Sequence, residues 1–526
     1  MSHAAPTELY VTGDLGFGPT ATLEIELAGT SPGHQYDRIL VDGVATLNGS
    51  LDVLLIDGFA TQISGTDQFT VLESTSLLGE FSNARPGARL AIDGLDAWIR
   101  VDYGQTSPFD PNHLVLSDFA PLPPLTETTW NGTNGFWQTD AAWSGNVSPN
   151  NTDNARYHAV INGGNVTSEV PVSVSALTLN NFNGTLTLSE TMTVGELQWL
   201  AGNLGGSSAL TLTGESTFAT LQNVNTGPGL VNQGTATWVV GDLTGTFGAQ
   251  GFVNQGVFLI ELVDDQNFQY FTNSASGVIR HTGTARAWLG GNTAFENDGL
   301  VEITGGGTLR VGRDLANGSD GDFVIADGRL ETTVGFSVDH KFNGSVTGEE
   351  FRSLIGNVSM NGAYDVETTT VEPSKVTFNT PTPAKTDHLT LNGNLSVETE
   401  LQVDQLNWTG GGFEAGAGQT VLSGDGVISS PAQKSLFGRL LNQGALTWED
   451  GSFADNQSGL IRNEGVFSIE LGAEHSMRYF YNTPTGVVRH VSGARANVGP
   501  NGGFENDGFV EITGGGTLVI GRDRGN

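Results

Sequence analysis

Apolar and polar residues alternate in short runs along most of the chain. In the first part, Leu23, Ile25 and Leu27 form one such run, and Ile39 with Val41, Leu51 with Val53 and Leu55, and Phe69 with Val71 form others. A period of two is the mark of a strand with one face buried. Asp42-Gly43, Asn48-Gly49, Asp57-Gly58 and Gly79 fall between the runs, where tight turns are needed. The pattern predicts an all-β fold with frequent turns.

Further along, the alternation becomes a repeat. Phe295 to Asp314 recurs as Phe504 to Asp523 with 17 of 20 positions identical. Trp199 matches Trp408 at an offset of 209, and Trp238 matches Trp448 at 210. A unit of about 210 residues is therefore duplicated. Inside each unit an asparagine returns before a turn that usually closes on Gly. These are Asn232, Asn254, Asn273 and Asn297 in the first copy, and Asn442, Asn463, Asn482 and Asn506 in the second. They return at intervals of about 20 residues, each followed by a short apolar run, which suits one coil of a β-solenoid. Leucine-rich repeats share the period, but their Leu framework and helical segment are missing.

The prediction is a right-handed parallel β-helix. Asn tolerates the left-handed backbone of a sharp turn. Stacked Asn side chains can also bond to one another from coil to coil, as amide ladders do. The expected layout begins with residues 1–120 as an all-β domain, or as the closing coils of a preceding solenoid. A Pro-rich hinge follows at 121–128, then a Trp-rich cap at 129–155. Solenoid units occupy 156–320 and 321–526, the second cut short. The roughly 400 residues after Trp130 would make about 20 coils, a rod on the order of 95 Å at about 4.8 Å per coil. Met1 to Pro6 is not a signal peptide, and the chain stops inside a repeat, so a fragment of a longer exported protein is expected.

Composition narrows the function. There are 22 Lys and Arg against 57 Asp and Glu, a net charge of −35. Nothing here would neutralise phosphates or an anionic lipid surface, so nucleic acid and membrane binding are not expected. No apolar run is long enough to insert in a membrane. Cysteine is absent, which excludes disulfides and thiolate metal sites. The 74 glycines are about twice the usual share, without a collagen period.

Candidate chemistry is sparse. Trp130, Trp137 and Trp143 stand close together in one short segment. They read as a cap over the open end of the solenoid, or as a platform on which a sugar stacks. No cofactor is expected beyond Ca²⁺. Asn317 to Asp322 is rich in glycine and hard oxygen ligands, with Asp320 and Asp322 as the carboxylates, although an acidic turn is the plainer reading. A polysaccharide-cleaving site would need clustered carboxylates, or a basic residue beside them. The candidates are Asp264 with Asp265, Glu296 with Asp298, and Arg280, His281 and Arg286. The last two groups recur as Glu505 with Asp507 and as Arg489, His490 and Arg495. Duplication argues for a building block rather than a catalyst. Asp264-Asp265 has no copy, since Gly472-Ala473 stands nearby.

The Trp-rich opener with Pro149 and Asp153, followed by Asn-Gly coils, resembles autotransporter-type passenger proteins and the large exported bacterial proteins with PEP-CTERM-type sorting signals. Residues 23–27, 37–43, 47–51 and 67–72 look like the segment that often closes such passengers. Here that segment comes first, and neither an anchor nor a translocator is present, which fits a fragment or a tandem array. The resemblance implies an extracellular or bacterial cell-surface home and a structural or adhesive role, with a glycan or another cell-surface ligand as partner. A polysaccharide-active enzyme, lyase or glycosidase, is one alternative. A filament subunit that self-associates head to tail is another.

Overall fold

The computed structural model describes residues 6–521 except 19–20, 93–94, 153, 221–223, 226, 228, 245–250, 314–317, 334–338 and 455–457, with backbone alone at 224, 225, 292 and 501. The fold is almost entirely β: a parallel β-solenoid of about 16 turns, preceded by a small separate β domain.

The small domain is itself coiled. Its first eight strands are β1 (Glu8–Val11), β2 (Leu15–Gly16), β3 (Thr22–Leu27), β4 (Arg38–Val41), β5 (Val44–Leu47), β6 (Ser50–Leu55), β7 (Phe69–Glu73) and β8 (Ser76–Gly79). They stack in three parallel columns, β1-β4-β7, β2-β5-β8 and β3-β6. The alternation of the sequence explains the column interiors, since Leu23 pairs with Leu51, Ile25 with Val53 and Leu27 with Leu55. Three further strands, β9 (Ala88–Ala91), β10 (Ala97–Asp102) and β11 (His113–Pro121), run antiparallel. β11 pairs along β7 and covers the edge that the last coil would otherwise expose. Phe69 sits at the centre, with Tyr36 and Phe59 edge-on to it at 5.3 and 6.0 Å.

Only 122–124 separate β11 from the next strand, Leu125–Thr129, so the span 121–128 expected as a hinge is strand at 121 and at 125–128. Leu125 pairs with Arg156, which makes the first coil a long one, and the Trp-rich segment fills it. Coils longer than the assumed period reduce the expected count of about 20 to about 16. By contacts the chain divides into two units. The first is Met1–Asn180 with Ser189–Gln198 and Leu210–Glu215, and the second is Asn181–Leu188, Trp199–Ala209 and Ser216–Asn526. The duplication boundary at 320/321 is not a break in the second unit, because Leu300–Ile303 pairs residue by residue with 322–325.

In the second unit one inward position repeats its residue type from coil to coil, as parallel stacking demands. Phe252, Phe271 and Phe295 are in register. Phe252 and Phe271 lie 4.8 Å apart and Phe271 and Phe295 6.2 Å, all buried. Such ring pairs add about 0.5–1.5 kcal/mol each beyond burial.

The recurring asparagines form two ladders. Asn232 donates from Nδ2 to Oδ1 of Asn254 (2.8 Å), Asn254 to Asn273 (2.7 Å) and Asn273 to Asn297 (2.7 Å). In the second copy Asn442, Asn463, Asn482 and Asn506 repeat the series at 2.7, 2.8 and 2.7 Å. Every bond runs the same way, so the first Oδ1 of each ladder has no donor among the described residues. The position before Asn442 is Leu422, which has none to give.

A second device recurs at the core tryptophans. Trp199, Trp238 and Trp448 are buried and donate Nε1 to the carbonyl of the glycine three positions on, at 3.0, 2.9 and 2.9 Å. Trp408 does so to Gly410 at 3.0 Å. The signal was available as Trp-x-x-Gly in Trp199–Gly202, Trp238–Gly241, Trp408–Gly411 and Trp448–Gly451.

Candidate functional site

The Trp-rich segment is built around its own indoles. Trp130, Trp137 and Trp143 are 3%, 1% and 2% exposed. Trp143 lies edge-on to both others, with centroids 5.2 and 4.7 Å away. Each Nε1 is satisfied internally: Trp130 by Thr133 O (2.5 Å), Trp137 by Pro149 O (2.9 Å) and Trp143 by Trp137 O (2.7 Å). The indole faces lie against one another inside this segment. Sequence spacing could not reveal this, because it does not say which way a Trp faces. Asp153 lies outside the described residues.

The acidic turn is also engaged. Asp320 Oδ1 accepts from Asn343 Nδ2 at 2.7 Å. Asp322 Oδ1 accepts from the backbone N–H (2.8 Å) and hydroxyl (2.7 Å) of Ser345. Asn317 lies outside the described residues. Among the described residues no group of three or more His, Cys, Asp or Glu is placed to hold a metal ion.

Strand alternation separates Arg280, His281 and Arg286. Arg280 points outward and pairs with Glu302 of the next coil at 2.6 Å. His281 points inward, is fully buried and lies 3.0 Å from Ala285 O through Nε2. Burial pushes its pKa below the ordinary histidine value, against smaller opposing contributions from backbone carbonyls. Arg286 pairs with Asp265 of the preceding coil at 2.6 Å.

The second copy repeats these pairs, Arg489 with Glu511 at 3.5 Å and Arg495 with Glu474 at 3.4 Å. Asp265 therefore does have a counterpart. At the offset of 209 it is Glu474, a carboxylate of different length in the same ion pair. Glu296 lies in register with Thr272 and Val253, whereas Glu505 lies in register with Tyr481 and Arg462. The two acidic pairs thus sit in unlike surroundings.

Two further charged features emerge only in three dimensions. Arg310–Glu331, Arg329–Glu350 and Arg352–Glu372 pair across coils at 2.6, 2.8 and 2.6 Å. The Arg352 hydrogen bond holds Glu372 below the ordinary carboxylate value. Lys434 is buried, its ammonium held by the carbonyls of Ser429 (2.6 Å), Ala432 (2.9 Å) and Ser430. Burial lowers its pKa.

No helix among the described residues is long and apolar enough to cross a membrane. No family model, no curated protein and no solved structure matches the chain.

Proposed function

We propose that the chain is a structural or adhesive repeat protein of the extracellular space or bacterial surface, whose outward coil faces bind a glycan or another cell-surface ligand. One observation carries the reading. The ionic residues that could have formed a site, Asp265, Arg280 and Arg286, are instead paired between neighbouring coils, and the second copy repeats each pairing. Groups used in this way hold coils in register and have no common target. The net charge of −35 keeps such a surface soluble and favours neutral or cationic ligands.

A glycan-array binding measurement on the purified chain, with and without Ca²⁺, tests the proposal. Saturable binding to a glycan class is expected, unaffected by replacing the buried Trp137 with Phe. Absence of binding to glycans and to intact cell surfaces alike would remove the adhesive reading.

A further inference from the structure

One apolar column of the second copy is interrupted by a hydroxyl. Thr420, on the strand Gln419–Leu422, stands in register between Leu401 and Leu440, both fully buried. It is 1% exposed, and its Oγ1 has no hydrogen-bond partner among the described residues. The first copy has the buried Leu210 at this position, at the offset of 210 that also relates Leu212 to Leu422 and Asn232 to Asn442. A hydroxyl left unpaired inside a core is unfavourable, so packing does not account for it.

Thr420 lines a recess of about 180 Å³ that is partly open to solvent. Glu414, half-buried, and Arg439, exposed, line it as well. Arg310, Arg329 and Arg352 each hold a carboxylate of a neighbouring coil. Arg439 and Glu414 do not: neither side chain has an ion pair or a hydrogen bond among the described residues, even with the other. Gln419, a further lining residue, lies 3.3 Å from Glu400 through Nε2. At the same offset Gln419 and Arg439 replace Ala209 and Gly229, so these polar groups belong to one copy only.

The donors and acceptors decide what fits. An ionised Glu414 only accepts hydrogen bonds, and Arg439 only donates them. A bare anion would be repelled by the first and a bare cation by the second. A neutral hydroxyl suits both, because it gives to the carboxylate and takes from the guanidinium, each bond being charge-assisted. The recess is smaller than the about 300–1,000 Å³ of a site that encloses a whole small molecule. It admits one hydroxylated edge while the rest of the ligand stays outside.

Resting on the glycan-binding role proposed above, we infer that this recess binds one uncharged sugar residue of a glycan, with Thr420 Oγ1, Glu414 and Arg439 hydrogen-bonded to its hydroxyls. Binding is one residue per chain, since the first copy lacks the polar set. Because the sugar carries no charge, added salt leaves its affinity nearly unchanged.

The test is calorimetric titration of the chain with neutral and uronate-containing oligosaccharides, at low and high salt, beside Thr420→Val, Glu414→Gln and Arg439→Ala. The unaltered chain should bind neutral oligosaccharides, and Thr420→Val and Arg439→Ala should each weaken binding about tenfold or more. Thr420→Val should also keep or raise the Tm, since it removes an unpaired buried hydroxyl. Weaker binding with an undiminished Tm separates loss of a ligand contact from loss of packing, and the exposed Arg439 tests the same site without touching the core. Neutral binding that all three variants leave unchanged overturns the inference and keeps the adhesive reading, on another face. Preference for uronate chains that salt weakens overturns it too. So does binding of no oligosaccharide at all; attachment to intact cell surfaces would then keep the adhesive reading, and its absence would remove both.

Discussion

Asn254 holds three kinds of bond at once. Its Nδ2 donates to Asn273 Oδ1 at 2.7 Å and lies 3.1 Å from Gly256 O and 3.2 Å from Val278 O, while its Oδ1 accepts from Asn232. Both ends of the amide are needed, since one end donates and the other accepts. Asn254→Ala leaves buried partners unpaired and should cost about 2–4 kcal/mol in urea unfolding. Asn254→Asp should cost more, because a carboxylate cannot donate to Asn273 and brings a buried charge. If Asp were tolerated as well as Ala, the ladder would not be what holds these coils.

His281 has a lowered pKa through burial, so it stays neutral in the fold. Below about pH 6.5 the unfolded chain takes up a proton here that the folded chain refuses. Its contribution is therefore intact above that pH and lost as pH falls toward the folded value. Stability should drop as pH falls below about 6.5, by up to about 1.4 kcal/mol per pH unit from this residue, and hold above it. His281→Gln should flatten that slope, measured by urea unfolding at each pH. An identical slope in the variant would contradict the assignment.

Among elements, one tight constraint is the corner after Trp238. Gly241 has φ +98°, and an added Cβ would lie 1.9 Å from Thr220 O. Its carbonyl also receives the Trp238 indole. Gly241→Ala should cost about 2–4 kcal/mol, through strain and a backbone clash, visible as a lower Tm. A matched Ala at the exposed Gly472, where a Cβ meets nothing within 4 Å, should change Tm little. Equal effects at the two sites would mean that the corner is not a constraint.

How far the fold could be read ahead of the structure also follows from its elements. Alternation showed the strands, and one asparagine per coil showed the period, because both recur at short range along the chain. Which groups pair between coils was hidden. Arg310 and Glu331 belong to successive coils, and their meeting depends on a register that local pattern does not specify. The equivalence of Asp265 and Glu474 does not show in identities, because the side chain changes length while the ion pair is kept. A Trp cluster has two meanings in a sequence, cap or platform, because the pattern does not carry the orientation of a ring.

For the molecule as a whole, the coil is a unit whose requirements are met again and again: an inward apolar stack, an amide ladder and an outward ion pair. Nearest-neighbour stacking of this kind explains why chemistry-bearing residues recur without converging. The central claim is that these residues bind coils rather than transform substrate. The most direct test incubates the purified chain with a panel of polysaccharides, with and without Ca²⁺, and follows chain length. No shortening of any polymer is predicted, and Asp264→Asn and Asp265→Asn should change only stability. Sustained shortening that either substitution abolishes would contradict the account and make this coil face an active site.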